Sequence, residues 1–439
     1  MRKGRAGSTP LSVPVFRRVW VGTTVSYAGD SAGWIALVAL SLGSAHANLP
    51  LLVALYTAPV AVGGLGAGWA LDRFDRRRLM IADNLTRGAA FASIPLTALF
   101  AEPGAIQLYA VAGIYGLLKM ISLAGFPSLI PSLVPETQLD QANALEGASY
   151  GLASLAGAAL AGLAVATIGA ARVVAFDAAS YLVLAFSLLS VRDLRFPTPF
   201  SGSRGAAAPS STGLVAVVRL AVANPVLRDT TIMFALFNVG EGALLVFLPH
   251  RALDLGLGIG GYGYLVAATT GGELAAAAFL ARRTWRASLR ASIIVAQLAA
   301  AAAVLVLAVH SAATTVLALA AVGLCSAPMT AWAQSLRMRL VAPQAHGRLF
   351  ALLRTAMQAT PPLGAGVAAL TLARGTLTTV LAVATMMGLP AALLARNLLR
   401  SPVSIQQRGE HTQPATVVTP PDGPESIPID DSDTEGTPV

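Results

Sequence analysis

Three charged residues stand deep inside long apolar runs of this chain: Asp30, Lys119 and Glu241. A charge near the centre of a bilayer costs at least ~2.5 kcal/mol, so a carboxylate or ammonium kept there is a candidate for binding a substrate or moving a proton. Asp30 lies twelve residues past Arg18, about 18 Å along a helix that rises ~1.5 Å per residue. Thr23, Tyr27, Asp30 and Trp34 keep the spacing of one helical face. Glu241 shares a face with Phe234 and Asn238, and Lys119 shares one with Tyr115, Ser122 and Phe126. A carboxyl removed from water can exchange a proton near neutral pH. The bland alternative pairs Asp30 with Lys119 and makes Glu241 a polar packing contact. Glu273 is nine residues from Arg282 and reads first as a snorkelling or paired acid. Asp83 and Arg87, four apart, read as neutralising each other. Asp177, near the end of its run, reads as structural.

The elements that must carry these residues are membrane helices. The chain has 439 residues, 55% hydrophobic and 12% charged, against about 25% charged in a soluble domain. Runs of about 20 apolar residues cross the ~30 Å hydrocarbon layer as helices, and a lipid-exposed backbone must satisfy its own hydrogen bonds. Twelve such runs fall at 19–43, 49–71, 79–101, 105–127, 147–168, 171–190, 230–249, 260–281, 290–310, 312–334, 349–372 and 376–399. The first reads as a retained helix, since no small-residue cleavage site follows it.

The basic residues test this topology. With the N-terminus inside, the cytoplasmic segments hold 25 of the 30 lysines and arginines, and the outer segments hold Arg172, Arg251 and Arg374. That bias puts both ends in the cytoplasm and requires an even number of spans. Residues 1–15 form an N-terminal tail and 16–191 a first six-helix bundle. Residues 192–225 form a Pro- and Ser-rich linker with an amphipathic stretch, Gly213 to Asn224, able to lie on the membrane. Residues 226–400 form a second bundle, and 401–439 an acidic, Pro-rich tail that cannot bury a core. An internal repeat supports the division. Pro14-Val15-Phe16-Arg17 returns as Pro225-Val226-Leu227-Arg228, and Gly29-Asp30 returns in register as Gly240-Glu241.

Between the second and third runs lies Gly68-Trp69-Ala70-Leu71-Asp72-Arg73-Phe74-Asp75-Arg76-Arg77-Arg78. Its Gly-x-x-x-Asp-Arg-x-x-Arg-Arg-Arg order resembles the signature loop of the major facilitator superfamily, with Asp75 where the consensus has Gly. Phe16 to Trp20, Asp83 with Arg87, Pro127 with Pro131, Ala142-Asn143-Ala144-Leu145, Phe176 to Ser180, Gly347-Arg348 and Pro362-Leu363-Gly364 resemble the macrolide and siderophore efflux branch. The resemblance implies an all-α membrane protein of two pseudo-symmetric six-helix bundles, working by alternating access. It implies that helices one, four, seven and ten line a central cavity, which is where Asp30, Lys119 and Glu241 fall. It also implies that Gly68, Asp72, Arg73, Arg76 and Arg77 form a conformational latch at the cytoplasmic face. One departure is that Ala158 stands where antiporters of the superfamily often carry the Pro of a Gly-Pro pair.

The expected function is export of a small amphipathic compound in exchange for protons, with the bacterial inner membrane as the site, no nucleic-acid partner and a monomer as the unit. A proton-coupled importer of a nutrient or anion is the alternative, with Lys119 leaving an anion open. A non-transporting membrane sensor is an alternative of another class. No catalytic constellation, phosphate loop or Cys/His cluster suggests an enzyme, ATP use, a cofactor or a metal. Tyr27, Trp34, Tyr115, Phe126, Phe234, Phe237 and Trp332 are the aromatic residues that would line a cavity for an amphipathic substrate.

Overall fold

The computed structural model describes residues 9–190, 222–282, 287–340 and 359–400, with the single positions 219, 285, 353 and 357. The side chains of Leu65 and Asp72 lie outside this set, as do most of the linker 192–225, the first half of the expected run 349–372 and the acidic tail. The described residues hold twelve α-helices: α1 Pro14–Gly43, α2 Leu49–Arg73, α3 Arg76–Thr97, α4 Ala105–Leu133, α5 Leu139–Ile168, α6 Ala170–Leu189, α7 Pro225–Asp254, α8 Gly258–Arg282, α9 Leu289–Leu305, α10 Ala312–Leu340, α11 Pro361–Leu372 and α12 Thr376–Arg400. Nine helical segments are long and apolar enough to cross a membrane, and Leu49–Gly64 and Pro361–Leu372 are shorter apolar stretches. The remaining helix, α3, carries Asp83, Asn84 and Arg87, which lower its mean hydropathy.

Local chemistry sets the helix starts. Pro14 and Pro225 sit in the first turn, where a missing N–H costs nothing. Asn48 caps α2 by accepting from Leu51 N–H at 3.0 Å, and Asn224 caps α7 through Val226 N–H at 3.0 Å. The helix α1 begins five residues before the apolar run, because Arg17 and Arg18 continue the helix beyond its hydrophobic part.

The repeat seen in the sequence is also a repeat of elements. The helices α1 and α7 each span 30 residues, α2 and α8 each span 25, and α4 and α10 each span 29. Helix pairing repeats with a shift of six. In the first set α1 packs on α5 and α6, α2 on α4, and α3 on α4 and α6. In the second α7 packs on α11 and α12, α8 on α10, and α9 on α10 and α12. Between the sets, α5 packs on α8 and α2 on α11, again related by six. The α5–α8 contact is backbone-close: a Cβ at Gly260 or Gly263 would meet the α5 backbone at Gly162 and Ala158.

Candidate functional site

The charges in the middle of α1, α3, α4 and α6 form one buried cluster. Arg87, fully buried, is its hub. Its Nε donates to Asp83 Oδ1 at 2.9 Å and its Nη2 to Asp83 Oδ2 at 2.7 Å, the bidentate geometry of a guanidinium on a carboxylate. The same Nη2 donates to Ser122 Oγ at 2.6 Å, and Ser122 donates to Asp83 Oδ2 at 2.5 Å. Arg87 Nη1 reaches across to Asp30 Oδ1 at 3.5 Å. That oxygen also accepts from Tyr181 Oη of α6 at 2.5 Å. The Arg87 guanidinium lies 4.6 Å from the Tyr181 ring centroid. A charge at this depth needs such neighbours, since an unpaired one is costly in a low-dielectric interior.

Asp30 pairs with Arg87 at 3.5 Å. Lys119 Nζ lies 5.7 and 5.5 Å from the ring centroids of Tyr56 and Tyr115, cation–π distances that suit an ammonium. These rings continue an aromatic column. Trp34 lies 4.2 Å from Tyr56, and Tyr56 stacks on Tyr115 at 4.4 Å. At the far end of the column, Trp34 Nε1 donates to Tyr262 Oη of α8 at 2.8 Å, linking α1 to the second set of helices. Asp83 does neutralise Arg87, but the arginine serves Asp30 as well.

Other expected residues take separate places. Tyr27 turns to α5, where its hydroxyl donates to Glu146 Oε1 at 2.9 Å. Asn238 spends its amide on Phe234 O of its own helix at 2.8 Å. Phe126 stacks on Phe16, packing α4 against α1, and Trp332 of α10 lies 4.5 Å from Trp285, which precedes α9, in a tilted pair. Phe234 lies 5.1 Å from the Arg337 guanidinium.

Glu241 occupies the place in α7 that Asp30 has in α1: Gly29 meets α6 at Asp177 and Ser180, and Gly240 meets α12 at Met387. Its surroundings differ. The polar residue of α9 nearest the register of Arg87 is Gln297, whose amide donates to Met233 O at 3.1 Å and Met387 O at 2.8 Å. Glu241 therefore has no hydrogen-bond or ion-pair partner among the described residues. Glu273 of α8 accepts from Ser326 Oγ of α10 at 3.2 Å.

The cationic loop ties helices of the first set together. Arg76 Nη1 donates to Ser128 O of α4 at 3.0 Å. Arg77 donates to Leu188 O at 2.7 Å and Leu189 O at 3.1 Å, satisfying open carbonyls at the end of α6. Arg73 lies 5.8 Å from the Trp69 ring centroid. Gly68 has open space where a Cβ would stand. Asp75 is the N-cap of α3 and accepts from Arg78 N–H at 2.7 Å.

Sequence reasoning missed Tyr181, Tyr56, Glu146 and Tyr262. Tyr181, Tyr56 and Tyr262 are polar groups in apolar runs, Tyr181 four residues from Asp177, and Glu146 lies one residue before such a run. That signal marked them as interior but not which helix they would meet.

Long apolar helices, paired twice on one plan around a compensated charge cluster, define a membrane transporter of the major facilitator type. The chain belongs to the transmembrane secretion effector family of that superfamily (MFS_3), which it matches over residues 5–429. It is 25% identical over 241 residues to the uncharacterized MFS-type transporter y4rN of Sinorhizobium fredii, covering 54% of this chain and 58% of the relative. It is 23% identical over 240 residues to macrolide efflux protein A of Streptococcus pyogenes, covering 54% and 57%. The chain thus spans a little over half the length of these relatives. Solved structures share the fold. A bacterial homolog of the human lysosomal transporter Spinster, inward-facing and unoccupied, gives a TM-score of 0.63 at 15% identity over 90% of this chain and 99% of that one. A peptide transporter in complex with sulfate gives 0.67 at 15% identity over 91% and 95%.

Proposed function

We propose that this transporter exports a small amphipathic compound in exchange for protons. In this reading it has twelve spans in two six-helix bundles, both ends cytoplasmic, and acts as a monomer in the bacterial inner membrane. The distribution of basic residues supports the orientation, and the helix pairing repeated with a shift of six supports the two bundles. Export is supported by membership of a secretion effector family and by the macrolide efflux relative.

One observation carries the proton reading. Halfway along α1, Asp30 keeps a fifth of its side-chain surface exposed while Arg87 and Tyr181 hold one of its oxygens. A carboxyl so placed can exchange with water and still be sensed by the helices behind it. The cavity reading assigns Lys119, Glu241, Glu273 and Trp34 to the surfaces that meet substrate. The bundles would rock about this midplane, with Arg76 and Arg77 holding the first bundle rigid. Asp30→Asn should abolish efflux driven by an imposed pH gradient in oriented vesicles while leaving the protein in the membrane. Undiminished efflux would remove Asp30 from the mechanism.

An importer of an anion remains the second reading, favoured by the Lys119 ammonium on its aromatic column. The sign of the flux that the same vesicles show under the gradient separates the two.

A further inference from the structure

We infer that Asp177, rather than Asp30, is the carboxyl that carries the proton in this conformation and releases it during transport. This rests on the proton-exchange reading above and names the atom that reading needs.

The buried cluster contains three carboxyls, Asp30, Asp83 and Asp177, and two cations, Arg87 and Lys119. One carboxyl must hold a proton for the cluster to be neutral, and a net charge this far from water is costly. Hydrogen bonding decides which. Asp83 takes two donors from Arg87 and a third from Ser122. Asp30 takes Tyr181 and Arg87. Both are furnished as anions. Asp177 is fully buried. Among the described residues its Oδ1 accepts only from Ser180 Oγ, at 3.2 Å, and its Oδ2 has no hydrogen-bond partner. A bare carboxylate oxygen is expensive there, and a neutral acid far less so.

Charged and titratable groups face Asp177 from several helices. From α1 comes Asp30, from α3 Arg87, from α2 Tyr56, and from α6 itself Tyr181. The adjoining stretch of α5, residues 151–168, contains no ionisable side chain. Arg87 is the cation near both Asp30 and Asp177.

Position makes the proton useful. Asp177 Oδ2 abuts Gly33 of α1, and Oδ1 lies against Gly29, so that a Cβ at either glycine would collide with it. Asp30 sits between those two glycines in sequence. A shift of α1 along α6 moves Asp30 and the lid over Asp177 together. Turning Arg87 from Asp30 toward Asp177 supplies the positive charge that lets the Asp177 O–H ionise. The proton departs to water and leaves the cluster with one net negative charge, with Arg87 facing the new Asp177 carboxylate; rebinding a proton restores neutrality.

The test is infrared spectroscopy of the purified protein in lipid at neutral pH, read in the C=O region of protonated carboxyls. Asp177→Asn should remove one component of that band. Ser180→Ala keeps the carboxyl but removes its hydrogen bond, and should move the component to higher frequency; this variant decides the matter where Asp177→Asn does not fold. A band unchanged by Asp177→Asn, or one that Ser180→Ala does not shift, overturns the assignment. Proteoliposomes loaded with erythromycin test the coupling separately. Transport that ignores the pH gradient, with the Asp177 component present, would sink the proton-exchange reading and the release step while leaving the protonation itself in place.

Discussion

Tyr181 Oη donates to Asp30 Oδ1 at 2.5 Å, and Arg87 Nη1 approaches the same oxygen at 3.5 Å. The tyrosine is thus the nearer partner of the carboxylate, and it comes from α6, whose packing on α1 is among the firmest in the fold. Tyr181→Phe keeps the ring edge-to-face with Phe91 at 5.6 Å and beside the Arg87 guanidinium at 4.6 Å. Only the donor is lost. A hydrogen bond to a charged group contributes about 1.5–3 kcal/mol, so initial efflux rates in everted vesicles should fall roughly tenfold or more. Protein abundance in the membrane should not change. An unaltered rate would mean that the hydroxyl has no part in transport.

Arg87 should behave differently, because removing it strands two acids. Arg87→Leu leaves Asp83 and Asp30 without their shared cation, and breaking a buried pair costs about 3–5 kcal/mol. The expected result is a large loss of monodisperse protein on size-exclusion chromatography, with a lowered unfolding temperature for what remains. Adding Asp83→Leu to Arg87→Leu should recover much of the folded protein, since both partners of the pair are then apolar. Transport should stay absent in the double variant, because Asp30 still lacks its arginine. Recovery of transport together with folding would show that the cluster only holds the helices in place.

The sequence made the helices and their duplication legible through physics that acts along the chain. Apolar length, the proline starts at Pro14 and Pro225, and the paired Gly29-Asp30 and Gly240-Glu241 are all one-dimensional signals. Partner choice between helices is not. Depth along α4 made Lys119 a natural mate for Asp30, yet α3 supplies Arg87 and Lys119 turns to Tyr56 and Tyr115. Asp177 was set aside because it lies seven residues from the start of α6. What distinguishes it is contact with two glycines of another helix, which no periodicity within α6 reveals. The symmetry of the repeat likewise hid the unequal surroundings of Asp30 and Glu241, which depend on Arg87 in α3 against Gln297 in α9.

Asp75 answers a question raised by the cationic loop. An extra acid stands among four arginines, and it caps α3 by accepting from Arg78 N–H. Glycine is also a tolerated N-cap and costs only a few tenths of a kcal/mol, whereas alanine costs ~1 kcal/mol. Asp75→Gly should therefore leave transport rate and thermal stability nearly unchanged, and Asp75→Ala should lower the unfolding temperature slightly. Arg77→Ala should cost more than either, since two carbonyls at the end of α6 lose their donor. A faster transporter from Asp75→Gly would mean that the acid restrains the loop through a contact other than the cap.

The Trp34–Tyr262 hydrogen bond joins α1 to α8 at 2.8 Å, with both side chains buried. On the proposed orientation it lies in the outer half of the bundle, where it would have to break for the cavity to open outward. A neutral hydrogen bond contributes about 0.5–1.5 kcal/mol net, equivalent to a two- to tenfold shift in a two-state population at ~1.4 kcal/mol per decade. Trp34→Phe and Tyr262→Phe should each raise the outward-open fraction by about that factor. The double variant should add nothing further, since the single changes remove the same bond. The measurement is the labelling rate of a cysteine introduced below the pair, by a membrane-impermeant maleimide applied outside, in a background with Cys325 replaced by Ala. Additive effects of the two variants would show that each ring acts through its own packing, Trp34 against Tyr56 and Tyr262 within α8, and that the bond between them does not set the equilibrium.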